Sequence, residues 1–257
     1  MNNLLKSDDL TLVVGDVHVS AGQNLSRGRL LGKAIDDLRP NRVVFIGDLL
    51  TFDSLSAWDK DKRKKMEGRR YQKDIDAGKR FLEMVDSNGG HRCKEYILTE
   101  GNHEDRLWRY LDLQPLFDGA IDYRKDLDIL HWKHIPYKDH YVYKGVYFTH
   151  VPINEAGRPL GGDTACKRSL ALYQHSVVFG HTHKLASVAV HRNGSSHLNQ
   201  ALNVGCFFEH IDDYALGSIT SYWRGIVLLD HYKVGRFNWS PISLGKMRKF
   251  WKTNPRG

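Results

Sequence analysis

Five apolar, β-rich runs in this chain are each followed at once by a short polar motif. The runs cover residues 12–14, 43–46, 96–98, 146–148 and 177–179. The motifs are Asp16-Val17-His18, Gly47-Asp48, Gly101-Asn102-His103-Glu104, Thr149-His150 and Gly180-His181-Thr182-His183. Short apolar runs of this kind predict buried strands. Because the strands of one sheet end on a common edge, the polar side chains are expected to meet there.

The first half of the chain alternates such strands with helices. Leucine, isoleucine and alanine recur with one-sided helical spacing over residues 30–38, and residues from about 54 to 85 are predicted to be mostly helical. This alternation is typical of βαβ units around a parallel core sheet, so the predicted fold class is α/β.

From residue 141 onward the pattern changes to short strands in succession. They are predicted at residues 141–148, 176–179, 187–191, 199–204, 223–229 and 235–239. One helix is predicted between them, at about 164–173, and Asn193-Gly194 is a hairpin signal. The change indicates a second, more antiparallel sheet packed on the first.

The positive charge of the chain is concentrated in two segments. Residues 59–73 hold eight Lys or Arg against three acidic residues, and residues 246–256 hold five and none, within a net charge of +8. Such patches suit a polyanion such as nucleic acid, although charge runs are often only a solvated helix face or tail. With 257 residues, we expect a single domain over 1–245. Residues from about 54 to 85 would be its basic helical insertion, and 246–257 a basic C-terminal tail.

The sequence favours a cytoplasmic protein without a membrane partner. No apolar stretch approaches the roughly 18–20 residues of a membrane helix, and the first residues lack the apolar core of a signal peptide. Cys93, Cys166 and Cys206 are odd in number and widely spaced, which fits reduced thiols.

The polar motifs contain the ligand types of a divalent metal site. Aspartate, histidine and asparagine suit hard to borderline ions, and two ions can be held if one carboxylate bridges them. Asp48 is the best candidate for the bridge because it stands alone behind its strand. Glycines precede Asp16, Asp48, Asn102 and His181, and they would permit a sharp turn out of each strand.

Each motif taken alone has an ordinary explanation. A single Asp or Asn at a strand end is usually a helix cap, and a single histidine is usually a hydrogen-bonded surface or core residue. Five such motifs in order, each behind its own strand, are hard to explain by capping. The remaining histidines keep the ordinary interpretation; they are His131, His134, His140, His175, His191, His197, His210 and His231.

The order of the motifs resembles the calcineurin-like metallophosphoesterase superfamily, over Asp16 to His183. The resemblance implies two mixed β-sheets packed as a sandwich and flanked by helices. It also implies a first metal held by Asp16, His18, Asp48 and His183. The second metal would be held by Asp48, Asn102, His150 and His181. His103 would lie near the leaving group without binding metal.

One motif departs from the protein serine/threonine phosphatase branch of this superfamily. That branch continues the second motif as Gly-Asp-x-x-Asp-Arg-Gly, whereas here Gly47-Asp48 leads to Asp53 with no Arg-Gly after it. The substrate-phosphate arginine of that branch is therefore missing from this motif, which argues against a protein phosphatase. Residues 101–106 resemble phosphoesterases of bacteria and their phages, so the cytoplasm would be that of a bacterium or of a phage host.

The expected activity is hydrolysis of phosphodiesters by a binuclear metallophosphoesterase. A hydroxide bridging the two ions would attack in line, and His103 would protonate the leaving alkoxide as general acid. Glu104 or Asp105 could orient the His103 ring. The expected cofactors are two Mn²⁺ ions, although Fe, Zn, Ni or Co also fit the ligands. The expected partner is DNA, RNA or a cyclic nucleotide, and no obligate protein partner can be inferred.

Two other functions stay open at this point. One is a phosphomonoesterase for a small metabolite or a phosphoprotein, and the other is a non-catalytic scaffold, which predicts lost ligands although none is missing. Phosphate contacts could come from four basic residues that could equally be solvated surface charges. They are Arg106, Arg109, Arg158 and Lys167.

Overall fold

The computed structural model describes residues 9–56, 61–191, 196–210 and 221–251, which form eleven strands and seven α-helices. The strands are β1 (Leu10–Val14), β2 (Arg42–Phe45), β3 (Glu95–Thr99), β4 (Lys133–Ile135), β5 (Tyr141–Tyr143), β6 (Val146–Phe148), β7 (Ser176–Phe179), β8 (Leu185–His191), β9 (Leu198–Val204), β10 (Gly225–Lys233) and β11 (Arg236–Ser243). The helices are α1 (Arg27–Leu38), α2 (Arg63–Met66), α3 (Tyr71–Asp86), α4 (Asp105–Leu113), α5 (Tyr123–Asp126), α6 (Ala165–Tyr173) and α7 (Leu244–Trp251).

The first sheet has six strands in the order β11-β10-β1-β2-β3-β4. Strands β1 to β4 are parallel, as the alternation of strands and helices predicts. Strands β10 and β11 extend the sheet in antiparallel pairing. The prediction had grouped these two strands with the second sheet, and this was wrong. In β10, Val227 and Leu229 are buried between the sheets while Ile226 is buried under the helices, and a strand buried on both faces belongs inside a covered sheet.

The second sheet has five strands in the order β5-β6-β7-β9-β8. Its centre is parallel and its two edge pairs are antiparallel, so the sheet is mixed. The single strand predicted at 141–148 is a hairpin of two strands, because Lys144 and Gly145 turn the chain with φ angles of 45° and 74°. The Asn193-Gly194 signal lies outside the described residues, between two strands that do pair.

The two sheets pack face to face, with helices on both outer surfaces. In β1, Val13 lies in the core between the sheets, whereas Leu12 and Val14 lie under the helices. Helices α1 and α3 cover the first sheet, and α6 covers the second. The prediction of two mixed sheets flanked by helices is confirmed. Because β1 and β2 are buried on both sides, their carboxyl ends are rigid platforms for the loops that follow.

Both basic segments are partly helical. A single 3-10 turn at Asp53–Leu55 precedes the short α2 and then α3, and residues 57–60 lie outside the described part of the chain. The C-terminal segment begins as α7, whose Leu244 and Met247 are buried in the same core as α1. The division between domain and tail stays a prediction, since residues 252–257 are not described.

Within the described residues, no helix combines the length and the apolar character that crossing a bilayer would require.

Candidate metal centre

The predicted ligands come from the loops that leave β1, β2, β3, β6 and β7. Asp16, Asp48 and Asn102 follow the first three strands, and His150 follows β6. All seven predicted ligands are buried or half-buried. The first two loops are tied together, since the amides of Val17 and His18 both donate to the Asp48 carbonyl oxygen, at 3.0 and 2.8 Å. The five strand ends lie close together, but they belong to two sheets: β1, β2 and β3 to the first, and β6 and β7 to the second. The polar side chains meet as the sequence predicts, whereas the prediction that they share the edge of one sheet was wrong.

Four of the predicted ligands have a left-handed backbone conformation. The φ angles are 48° at His18, 48° at Asp48, 68° at His181 and 59° at His183. Aspartate and histidine occur in this region more often than most residues, but it still costs roughly 1–3 kcal/mol each. The surrounding structure holds these backbones in place, and the result is that four side chains point toward one another.

The glycines of the motifs serve two different purposes. Gly47 has a φ of 84° and makes the sharp turn that the sequence predicts. Gly15, Gly101 and Gly180 do not have positive φ, so for them the turn explanation was wrong. A Cβ atom on Gly101 would overlap the Asp48 carboxylate, and one on Gly180 would overlap that of Asp16. These two positions are glycine because ligand carboxylates pack directly on their backbone.

One group of ligand atoms surrounds Asp16. Its Oδ2 lies 3.1 Å from His183 Nε2 and 3.9 Å from His18 Nε2. The same His18 nitrogen is 3.6 Å from Asp48 Oδ2. The other Asp16 oxygen accepts a hydrogen bond from the His181 amide at 3.0 Å, which fixes the carboxylate. Asp16, His18, His183 and Asp48 therefore converge as the resemblance implies for a first metal.

A second group lies beside the first and shares Asp48. His150 Nε2 is 3.5 Å from Asp48 Oδ2, 3.1 Å from Asn102 Oδ1 and 3.2 Å from His181 Nδ1. The other ring nitrogen of His150 donates to the Ile46 carbonyl oxygen at 2.7 Å, which fixes the ring with Nε2 toward the other three residues. These are the four residues that the resemblance implies for a second metal.

The donor set fits two divalent ions. Among the described residues, both ring nitrogens of His18 have no hydrogen-bond partner although they are buried. Such atoms are costly unless something binds them. Ligands of one ion, at about 2.1 Å from it, lie within about 4.2 Å of one another, and the distances above meet this limit. The possible ligand atoms of Asp16, His18 and His183 lie close enough to one another to bind one metal ion.

The electrostatics of the cluster also suit cations. Burial and the negative charge of Asp16 raise the pKa of Asp48 well above its usual range. Burial alone would raise the pKa of Asp16, but the neighbouring His183, His150 and His181 together outweigh it and lower this pKa to about 2. Burial, followed by the nearby His150, lowers the pKa of His181 to about 4. The His181 imidazole is therefore neutral at pH 7, which is the form that binds metal.

His103 lies at the edge of both groups. Its Nδ1 donates to the Thr51 carbonyl oxygen at 2.7 Å, and its Nε2 lies 3.9 Å from Asp48 Oδ2. Arg106 Nη2 is 3.1 Å from the same Nε2, and because arginine can only donate, Nε2 accepts. Burial and then the Arg106 charge lower the pKa of His103 well below its usual range.

Glu104 and Asp105 do not orient the His103 ring, so that prediction was wrong. The buried Glu104 carboxylate accepts hydrogen bonds from the amides of Asp48, Gly101 and Leu50, at 2.8, 2.8 and 3.2 Å. Burial and the charge of Asp48 raise the pKa of Glu104 to about 8. Glu104 thus fastens the loop after β3 to the loop after β2. The ring of His103 is held instead by Thr51 and Arg106.

The site opens into a cavity of about 1250 Å³. Of the four predicted phosphate contacts, Arg106 lines this cavity, while Arg109, Arg158 and Lys167 are exposed and are not part of its lining. Arg109 instead pairs with Asp105 at 2.8 Å. His210, which had the ordinary interpretation, lines the cavity with its ring centroid 6.4 Å from that of His18.

Five further basic residues line the same cavity, and we call them the basic wall. They are Lys62, Lys65, Arg69, Arg70 and Lys73. All belong to the basic segment of the sequence. The charge run indicated a polyanion, but nothing in it indicated which of its members would face the metal ligands.

Comparison with known proteins identifies the family. None of the curated proteins is significantly similar to the chain. Two solved structures align with 91% of this chain and 99% of their own. One crystal structure has 10% identity and a TM-score of 0.44, and YfcE, a phosphoesterase from E. coli, has 15% and 0.38. The family model for calcineurin-like phosphoesterases matches residues 10–185, which hold all seven predicted ligands and His103. The chain belongs to the calcineurin-like phosphoesterase family.

Proposed function

We propose that the protein hydrolyses phosphodiesters with the help of two divalent metal ions. The observation that carries this proposal is one cavity that contains both the convergent ligand set and the basic wall. A diester is held by cations around its phosphate and does not need the arginine that protein phosphatases place after the second motif. Nucleic acid, a nucleotide and a cyclic nucleotide all belong to this substrate class.

The seven side chains would hold the ions in two overlapping sets. Asp16, His18 and His183 serve one position, and Asn102, His150 and His181 the other, with Asp48 in both. When bound, two such ions neutralise phosphoryl oxygens and lower the pKa of water from about 15.7 toward 7. Mixed oxygen and nitrogen ligands suit Mn²⁺, which we propose as the native metal, and they also accept Fe, Zn, Ni or Co.

His103 and Arg106 supply the remaining chemistry. The Thr51 carbonyl oxygen keeps one ring nitrogen of His103 occupied, so proton transfer takes place at Nε2, beside Asp48. Arg106 is anchored through Nη1 to Thr51 and Asp53. Its Nη2 is free to leave His103 for a phosphoryl oxygen. The unprotonated Nε2 can then take up a proton from solvent and pass it to the leaving alkoxide.

The choice between diester and monoester is tested with two small substrates. Purified protein reconstituted with Mn²⁺ is expected to hydrolyse bis-nitrophenyl phosphate at least tenfold more efficiently than mono-nitrophenyl phosphate, by kcat/KM (about 1.4 kcal/mol). Chelation of the metal should abolish both activities. Hydrolysis of the monoester alone would overturn the proposal in favour of a phosphomonoesterase.

Replacing His103 with alanine tests the general acid. Nitrophenolate leaves without a proton, whereas the sugar alkoxide of a dinucleotide does not. We therefore expect kcat on a dinucleotide to fall by about 10²–10⁴, and kcat on bis-nitrophenyl phosphate by less than tenfold. Metal content, measured by mass spectrometry, should be unchanged. Equal losses on both substrates with metal retained would show that His103 has another role.

A further inference from the structure

The basic wall places more positive charge in the cavity than a single diester requires. With Arg106, six cationic side chains line it. Among the described lining residues, the acidic ones besides Asp48, which lies among the predicted metal ligands, are Asp53, Glu67 and Asp74, so the cationic side chains exceed them by about three. One phosphodiester carries a single negative charge. The lining is therefore suited to several phosphates at once.

The size of the cavity agrees with an extended substrate. Sites for small molecules and cofactors usually enclose roughly 300–1,000 Å³. The volume here is about 1250 Å³, and the wall residues Arg70 and Lys73 are exposed. A mononucleotide or cyclic nucleotide would fill only the part beside the metal ligands.

Two wall residues have side chains whose described contacts are to backbone only. Arg70 donates to the carbonyl oxygen of Arg69 at 2.7 Å, and Lys73 donates to that of Gly68 at 3.0 Å. These bonds orient the side chains without neutralising them. Neither cation is neutralised by a described carboxylate, so both remain able to bind an anion.

The described part of the lining offers phosphate contacts from many cationic side chains. Among the described lining residues none is phenylalanine, tyrosine or tryptophan, on which a base would stack. Contacts to phosphates position a nucleic acid without reading its sequence.

We propose that the substrate is a polynucleotide, whose phosphates lie along the basic wall while one diester lies at the metal centre. This inference rests on the proposed function. In the reaction, a water oxygen forms a new bond to phosphorus, the bond to the leaving sugar oxygen breaks, and that oxygen takes a proton. Recognition depends on the backbone, so cleavage is independent of base sequence and weakens as salt rises.

The chain offers a matched pair of double variants. Arg70→Gln with Lys73→Gln removes two charges of the wall. Lys79→Gln with Arg80→Gln removes two charges from exposed positions of α3 that do not line the cavity. Both keep the fold intact, which circular dichroism checks. The probes are fluorescent 20-nucleotide DNA and RNA strands, with bis-nitrophenyl phosphate as the small diester.

Affinity for the strands is measured by anisotropy in EDTA over a range of salt concentrations, and turnover is measured with Mn²⁺. For the wall variant we expect the slope of log affinity against log salt to fall by about 1.4. The ratio of strand to small-diester turnover should fall on the order of 20-fold at 0.1 M salt. The control variant should match the wild type, and the strand type that is cleaved identifies DNA or RNA.

Three results would count against the polynucleotide inference or the proposed function, and each shows which of the two fails. If the wild type hydrolyses the small diester but binds neither strand, the polynucleotide inference fails and the proposed function stands. Equal salt slopes for the two double variants would also overturn the inference. If neither diester nor strand is hydrolysed at any metal loading, the proposed function itself fails.

Discussion

Asparagine in place of Asp48 is expected to lower diester hydrolysis by at least about a thousandfold and to reduce bound metal below one ion per chain. Asp48 Oδ2 lies 3.5 Å from His150 Nε2 and 3.6 Å from His18 Nε2, so it belongs to both ligand groups. The asparagine amide has the same shape as the carboxylate, but it lacks the negative charge that the two metal ions would share. Metal content by mass spectrometry and kcat/KM on bis-nitrophenyl phosphate provide the two readouts.

The fold should tolerate this substitution. Asparagine accepts the φ of 48° at this position, and its oxygen can still accept the His103 amide hydrogen bond, which is 2.9 Å in the native protein. Without metal, removing one of two buried carboxylates relieves their repulsion. The unfolding temperature of the metal-free variant should therefore equal or exceed that of the metal-free native chain. Two ions per chain together with native activity would refute the shared-ligand role.

Alanine in place of Glu104 is expected to destabilise the protein by about 3–5 kcal/mol. The substitution leaves the buried amides of Asp48, Gly101 and Leu50 without acceptors, and each such loss costs roughly 1–3 kcal/mol. Because two ligand loops lose their connection, metal affinity should fall as well. Urea unfolding of the metal-free protein measures the stability, and a metal titration measures the affinity.

The neighbouring residue provides the control for Glu104. Asp105→Ala removes a carboxylate whose ion pair is with Arg109, an exposed side chain, and such pairs contribute roughly 0–1 kcal/mol. We expect this variant to unfold within about 1 kcal/mol of the native protein. A similar small change in Glu104→Ala would mean that water or a shifted loop satisfies the three amides.

Much of the first sheet could be predicted because its signals are local. Apolar runs and helical spacing identify β1, β2 and α1 wherever they lie in space. The place of β10 could not be predicted, since an apolar pattern shows that a strand is buried but does not name its neighbour. The turn at Lys144 also escaped prediction, because a lysine with positive φ has no sequence signature.

The difference between local signals and contacts of distant residues also applies to the candidate metal centre. That the seven predicted ligands lie together could be predicted because each follows a strand, and the two packed sheets bring these strand ends together. The role of Glu104 could not, since its partners Asp48 and Leu50 are more than fifty residues away. Helical proximity to His103 suggested Arg106 and Arg109 equally. Only the fold shows that the first faces the cavity and the second faces solvent.

The basic wall and the predicted metal ligands are distributed differently along the sequence. The ligands come from five separate strand ends, whereas the wall lies on one continuous stretch, residues 62–73. Replacing that stretch would leave every ligand loop in place. Substrate preference could thus diverge among related enzymes, or be exchanged by grafting, while the reaction chemistry is inherited unchanged.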